Sequence, residues 1–298
     1  MKIANPANSP VLTDDHPTGA LAMRYLHSGA ENTPDNFVML IAENIGHFQM
    51  VRHRHNFDQF RFVISGQMNL GSGSTIREGE LCYFPEGTPY GPQDDLAGPV
   101  VLTVQFGGAN GYGYMSPSQY RAGRAALEKK GRFEGPVYLR EVDGKTTKKF
   151  SINAIWEEAM GARMMIPAPR YDQPVIMKPK AYRWTPVAQQ AGAWRKLLGS
   201  FSERRTAAEM FKVSAGTSVK FLPENTTRLL FVVQGAGNMD GQEVGLHFGV
   251  QIDPGETAQV RASDELVMLS LSLPRFEADW QKAEIAAVEP AAEESVAA

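Results

Sequence analysis

The chain has 298 residues, 43% of them hydrophobic and 21% charged, which suits one large globular domain or two medium ones. Its 30 Lys and Arg against 33 Asp and Glu give a net charge of -3, which argues against a general nucleic-acid binder or a polybasic membrane binder. A single cysteine, Cys82, excludes a disulfide framework and a Cys-based zinc site, and no apolar run reaches the ~18 residues of a membrane span.

Residues 1–19 are rich in Pro, Asn, Asp and Thr and read as a flexible N-terminal arm. They lack the basic-then-apolar order of a secretion signal, so a cytoplasmic protein is expected. Residues 20–108 carry short runs rich in Val, Ile, Leu, Phe and Tyr (37–42, 60–64, 81–84, 100–106), punctuated by Gly66, Gly79 and Gly87. That spacing predicts a β-sandwich or barrel. Residues 109–200 read as a linker with one helix over 118–130, capped by Ser116 or Ser118 and stopped before Gly131. The glycines of 107–113 lack the Lys-Ser/Thr ending of a phosphate-binding loop. The linker should hold some strands of its own among its prolines. The β pattern returns over 201–276, and 277–298 form an Ala- and Glu-rich tail.

The second β region repeats the first. At a constant offset of 169, Asn56 matches Asn225, Phe62 matches Phe231, Val63 matches Val232 and Gly66 matches Gly235. A second strand-turn unit recurs near Gly87 and Gly255 with a one-residue slip. Duplication accounts for both recurrences, and the length resolves into two related all-β domains.

Of six histidines, His53 and His55 lie two apart in a β context, which turns both imidazoles to one face. Converging neutral imidazoles are the usual start of a metal site. Gln59 shares their parity, whereas Asp58 in regular strand phase points away. An HxH pair is also compatible with two polar residues on a solvated strand, or with a pocket for an organic ligand without metal. Arg52, Arg54 and Arg61 flank the histidines and read as solvated residues or a subunit contact; Arg52 and Arg54 alternate with the histidines and face away from them. Cys82 reads as a small buried hydrophobe, and Phe62, Tyr83 and Phe84 as core.

Here the sequence resembles the cupin family, whose motifs are G-x5-H-x-H-x3,4-E-x6-G and G-x5-P-x-G-x2-H-x3-N. The chain offers Gly46, six residues, then His53-x-His55-x3-Gln59-x6-Gly66, followed by Gly79-x5-Pro85-x-Gly87-x2-Tyr90. The first gap is one residue long, position 94 is Asp, Gln59 stands where the family has a glutamate, and Tyr90 stands where it has a third histidine. The resemblance implies two jelly-roll-type barrels in tandem, a bicupin, with a helix-containing linker and a ligand site in the barrel mouth. It carries over His53 and His55 as metal ligands. Gln59 would offer an amide oxygen, and Tyr90 a phenolate ligand or a general acid/base. In the second copy the matching positions are Leu222, Glu224, Arg228 and Ala258. That set has no imidazole, so the second barrel is expected to be degenerate, with Glu224 and Arg228 as an ion pair. His247, alone in sequence, reads as a surface or packing residue.

The family likeness implies a metal-dependent enzyme acting on a small oxygen-bearing substrate, such as a dioxygenase of aromatic or diketone-like compounds. The divalent ion would be iron first, with manganese, nickel, zinc or copper as alternatives. Two other readings stay open: a lyase or isomerase using Tyr90 as acid/base, and a non-enzymatic small-molecule binding or sensor protein. A homodimer is expected, because sheet edges need covering.

Overall fold

Apolar side chains alternating with a period of two turn one face of each strand to one core and the other face to another. A computed structural model describes residues 1–276 apart from 17–18, 72, 97 and 136; the Ala/Glu-rich tail, 277–298, lies outside the described residues. The chain opens with β1 (Lys2–Ala4), and the first β unit follows with β2 (Val11–His16), β3 (Gly19–Ser28), β4 (Phe37–Asn44), β5 (Phe48–Met50), β6 (Asp58–Ser65), β7 (Gln67–Gly71), β8 (Ser74–Arg77), β9 (Leu81–Phe84), β10 (Gln93–Asp95) and β11 (Val100–Phe106). Then come helix α1 (Pro117–Glu128), strands β12 (Arg132–Glu134), β13 (Val137–Val142) and β14 (Lys145–Phe150), helix α2 (Ser151–Met160) and β15 (Val175–Met177). The second unit runs β16 (Thr185–Pro186), β17 (Ala193–Ser200), β18 (Ala207–Val213), β19 (Ser218–Phe221), β20 (Arg228–Gln234), β21 (Gly237–Met239), β22 (Gln242–Val244), β23 (Gly249–Ile252), β24 (Ala258–Ala262) and β25 (Leu266–Ser272).

Two seven-stranded antiparallel sheets dominate, in a two-domain β-sandwich arrangement with helices between them in sequence. Their orders, β15-β9-β6-β11-β4-β3-β2 and β1-β23-β20-β25-β18-β17-β16, correspond strand for strand. The correspondence follows the sequence repeat: β6 with β20, β9 with β23, β11 with β25. Edge strands are exchanged. Linker strand β15 pairs with β9 of the first unit, and N-terminal β1 pairs with β23 of the second. Residues 2–4, expected in a free arm, therefore hold a place in a sheet, with Met1 and Ile3 packed on the second unit's core. Residues 11–16 likewise pair with β3. The Pro- and Asn-rich composition hid these short partners.

The two large sheets share one apolar core. Phe60, Phe62, Leu81, Tyr83, Val104 and Phe106 from the first unit belong to the same cluster as Phe201, Met210, Leu229, Phe231 and Leu269 from the second. The opposite parity serves each unit's own interior. In the first unit Val63, Cys82, Phe84 and Val101 pack with Met68, Leu70 and Ile76. In the second, Phe221, Leu230, Val232, Val250 and Ile252 form the interior. Cys82 is fully buried, as expected of a small hydrophobe, and burial pushes its thiol well up.

The predicted helix is α1. Ser116 accepts from the Gln119 N–H while the Gln119 side chain accepts from the Ser116 N–H, a reciprocal capping box. The linker carries a second helix, α2, where one was expected. Its N-cap, Phe150, makes no side-chain cap bond, so the sequence held no start signal. Only its stop, Gly161 in the left-handed region at φ 61°, was there to be read. The hairpin between β13 and β14 turns at Asp143 and Gly144, both at positive φ, the turn a two-residue hairpin favours.

Gly87 of the second motif shows why that position is glycine. Its φ is +79°, and a Cβ there would meet the Pro167 carbonyl oxygen at 2.2 Å. Gly87→Ala is expected to cost about 2 kcal/mol or more in urea unfolding; a change below roughly 0.5 kcal/mol would contradict the close approach.

Candidate ligand site

The odd-numbered face of β6 points into the first unit and carries Gln59 and Arg61. His53 and His55 lie just upstream, in an extended segment between β5 and β6 rather than in a regular strand. That segment is fixed by a two-way backbone bridge: His53 N–H to Tyr90 O at 3.0 Å and Tyr90 N–H to His53 O at 2.9 Å. The Gly87 N–H donates to His55 O at 2.8 Å. Both motifs are thus tied by backbone bonds, and the side chains converge. The two imidazole centroids are 4.9 Å apart, and the Tyr90 ring is 4.4 Å from His53. The structure brings together all four residues that the motifs singled out.

Their hydrogen bonds fix an order of donors and acceptors. Gln59 Nε2 donates to the Tyr90 oxygen at 3.2 Å, and Arg61 Nη2 donates to it at 3.3 Å. His55 Nε2 lies 3.0 Å from the same oxygen. With two donors aimed at the phenolic oxygen, its own proton is assigned to the bond with His55 Nε2. His53 Nδ1 lies 2.7 Å from the Val51 carbonyl; a carbonyl only accepts, so this nitrogen carries the proton. Burial pushes the His53 pKa down to about 4, against the opposing pull of the Val51 carbonyl. Burial, then His53 and Arg61, push His55 well below its ordinary value. Both rings are neutral at pH 7.

Arg61 and Gln105 complete the cluster. Arg61 Nη2 donates to Gln59 Oε1 at 3.0 Å, and Gln105 Nε2 donates to the same oxygen at 3.1 Å. The guanidinium lies 4.8 Å from the Phe84 ring centroid and 5.7 Å from that of Tyr90. In the sequence Arg61 reads, with Arg52 and Arg54, as a solvated residue or subunit contact; the structure instead turns it inward beside Gln59 and Tyr90, whose face it shares by parity with Gln59. Gln105 had no sequence signal, because only the β6–β11 register places it opposite Gln59.

This arrangement tests the divalent metal that the motifs imply. Among the described residues no group of three or more His, Cys, Asp or Glu is placed to hold a metal ion. The oxygens of Gln59 and Tyr90 both face a guanidinium. An ion bound to the Gln59 oxygen at about 2.1 Å would sit within roughly 5 Å of that cation. The repulsion is on the order of 7 kcal/mol at an effective dielectric constant of about 20, and among the described residues no carboxylate bonds to Gln59, Tyr90 or the guanidinium to offset it. His53, His55, Gln59 and Tyr90 do not fit a divalent ion as a four-ligand set.

The even-numbered face of β6 turns to the shared core and carries Asp58. Asp58 is fully buried and accepts from Tyr83 Oη and the Glu86 N–H, both at 2.7 Å. Glu86, also buried, accepts from Asn110 Nδ2 and from Arg170 Nη1, the latter at 2.6 Å. Arg170 binds Glu203 through Nε at 2.8 Å and Nη2 at 2.6 Å. A linker arginine thus joins the second motif of the first unit to a loop of the second. Burial raises the Asp58 pKa to about 6, and burial and then Asp58 raise that of Glu86 to about 8.

The second unit lacks the polar face. Arg61 corresponds to Leu230, which is buried in the apolar interior, and Ala258 at the Tyr90 position is buried too. Leu222 is exposed, and Arg228 pairs with Glu224 while lying over the Phe221 ring. His247 stacks on Phe231 with 7° between the ring planes, a packing role.

The fold has known counterparts. A Nostoc punctiforme protein whose dioxygenase assignment is provisional superposes with a TM-score of 0.61 at 10% identity, over 94% of this chain and 85% of its own. Streptomyces albus HEPD, solved with 2-hydroxyethylphosphonate and Fe(II) bound, gives 0.57 at 12% identity over 96% of this chain and 78% of its own. Bacillus subtilis oxalate decarboxylase gives 0.52 at 13%, over 91% and 76%. No protein-family model matches the chain, and no curated protein matches it in sequence. The chain has the fold of the cupin superfamily in its two-unit, bicupin form. Its neighbours include enzymes of different reactions on small organic molecules, and none of the described helices is long and apolar enough to cross a membrane.

Proposed function

We propose that the first unit binds a small oxygen-bearing organic molecule on the face of His53, His55, Gln59 and Tyr90, and moves a proton on it through Tyr90. The observation that carries this reading is the Tyr90 hydroxyl, 3.0 Å from neutral His55 and faced by the donors of Gln59 and Arg61. Tyr90 is placed to exchange its phenolic proton with a bound ligand, with His55 Nε2 as the acceptor that orients the hydroxyl and the two donors facing the oxygen on which charge develops. Such a group suits a lyase or isomerase that removes a proton next to a carbonyl. The second unit packs against the first and takes no part in the chemistry.

Hydrogen exchange in D2O tests the reading, followed by NMR at the acidic carbon of small ketones and 2-oxo acids. Wild type is expected to accelerate exchange for part of the panel, and Tyr90→Phe to lose about 100-fold or more of that rate. Exchange unaffected by Tyr90→Phe would remove Tyr90 from the chemistry. Binding of panel members without exchange would leave a non-enzymatic binding protein.

A metal-dependent dioxygenase is the second reading. It is favoured by the Fe(II)-bound neighbour and by the His53 Nδ1 bond to a carbonyl, the outer contact typical of a metal-ligating imidazole. It requires Arg61 to swing away from Gln59 and Tyr90. Stoichiometric iron, manganese, nickel, zinc or copper in purified protein, lost in His53→Ala/His55→Ala, together with oxygen uptake on catechols or diketones, would establish it.

A further inference from the structure

The geometry points to Arg61 as the recognition residue for a carboxylate group, so that the first unit takes small organic anions and needs no metal to hold them. This rests on the reading of that face as the ligand site.

Arg61 is half-buried inside the first unit, and a guanidinium taken out of water is costly unless an anion pairs with it. Among the described residues no carboxylate forms an ion pair with it. Asp95 is not within ion-pair distance: its Oδ1 accepts from the Asn69 N–H at 2.7 Å and its Oδ2 is buried without a partner, and burial raises its pKa against the opposing pull of Asn69 and Arg61. The Arg61 donors are unevenly used. Nη2 serves Gln59 and Tyr90, Nη1 meets only the Met68 sulfur at 3.7 Å, and Nε is buried without a partner. Arginine presents five N–H donors suited to carboxylate geometry, and here several face no oxygen.

The guanidinium is also held in place. Gln59 fixes one end while Gln105 braces Gln59 from β11, and the Phe84 ring supports the flat face. Preorganised charge of this kind needs little reordering on binding. The second unit offers the internal contrast: the same strand position is Leu230 within an apolar interior, and the arginine there, Arg228, already has Glu224 as its partner. Among the described residues, the cation on this face of the first unit has no carboxylate partner, whereas Arg228 of the second unit has one.

Paired probes test the assignment: malonate against malonamide and benzoate against benzamide, titrated into chelator-treated protein with histidine ring resonances as the readout. At least one carboxylate is expected to shift the His53 or His55 signals and to bind at least 10-fold more tightly than its amide. Arg61→Gln should weaken that binding at least 10-fold, and Arg61→Lys should retain part of it; unchanged near-ultraviolet circular dichroism controls for folding. An amide that binds as tightly as its carboxylate would overturn the inference while leaving the ligand site standing, as would binding unaffected by Arg61→Gln. Binding that appears only when a divalent ion is added back would overturn it in favour of the metal. If neither member of either pair moves the histidine signals, the inference and the ligand-site reading fall together.

Discussion

Replacing Arg170 by Met is expected to cost about 3 kcal/mol of stability at pH 9 and less than about 1 kcal/mol at pH 5. Breaking a buried ion pair leaves its partner's charge unpaired, at a cost of roughly 3–5 kcal/mol; the partial exposure of Arg170, 26%, places the estimate at the lower end. The pH dependence comes from Glu86. Burial and the neighbouring Asp58 raise its pKa to about 8, so the fold favours its protonated form. Stability from this source is complete below the unfolded value of 4.5 and is lost as pH rises through about 8. Asp58, raised to about 6, acts in the same direction over a lower range. Wild type should therefore lose stability between pH 5 and pH 9, and Glu86→Gln should flatten that loss. Urea unfolding at the two pH values measures both. An equal cost for Arg170→Met at pH 5 and pH 9 would show that Glu86 does not titrate between them.

Phe231→Ala is expected to cost about 3–5 kcal/mol and to destabilise both units together. Phe231 is 1% exposed and lies in the cluster shared by the two large sheets. Emptying that space loosens the cluster that holds Phe60 and Tyr83 of the first unit together with the second unit's own residues. Scanning calorimetry should record one transition, shifted as a whole, with calorimetric and van't Hoff enthalpies in agreement. Two transitions, of which only one moves, would mean that the shared core does not couple the units.

How much of this was legible in the sequence follows from the range of the interactions. The duplication, the glycine turns and the Ser116 cap are local signals, and each corresponds to an element at the expected place. The convergence of His53, His55, Gln59 and Tyr90 was also readable, because both motifs have fixed spacings. Three features were not. The exchanged strands β1 and β15 are three residues each and owe their structure to distant partners, so neither has a pattern of its own. Helix α2 begins without a capping side chain. Asp58 illustrates the limit of strand phase. Parity placed it away from the histidines, as observed, but nothing in the sequence joined it to Tyr83, Glu86 and, through Arg170, to Glu203. The charge of the site was missed for a related reason. The family motifs span only those four positions, while Arg61, two residues past Gln59 on the same face, lies outside them and bonds to two of the four.

A crystal structure of the protein soaked with malonate tests the role of that cation most directly. The predicted result is a malonate carboxylate within hydrogen-bond distance of the Arg61 guanidinium, about 2.7–3.1 Å, with Gln59 and Phe84 unmoved and no metal density between His53 and His55. A metal ion bound by His53 and His55, with Arg61 displaced from Gln59 and Tyr90, would contradict it.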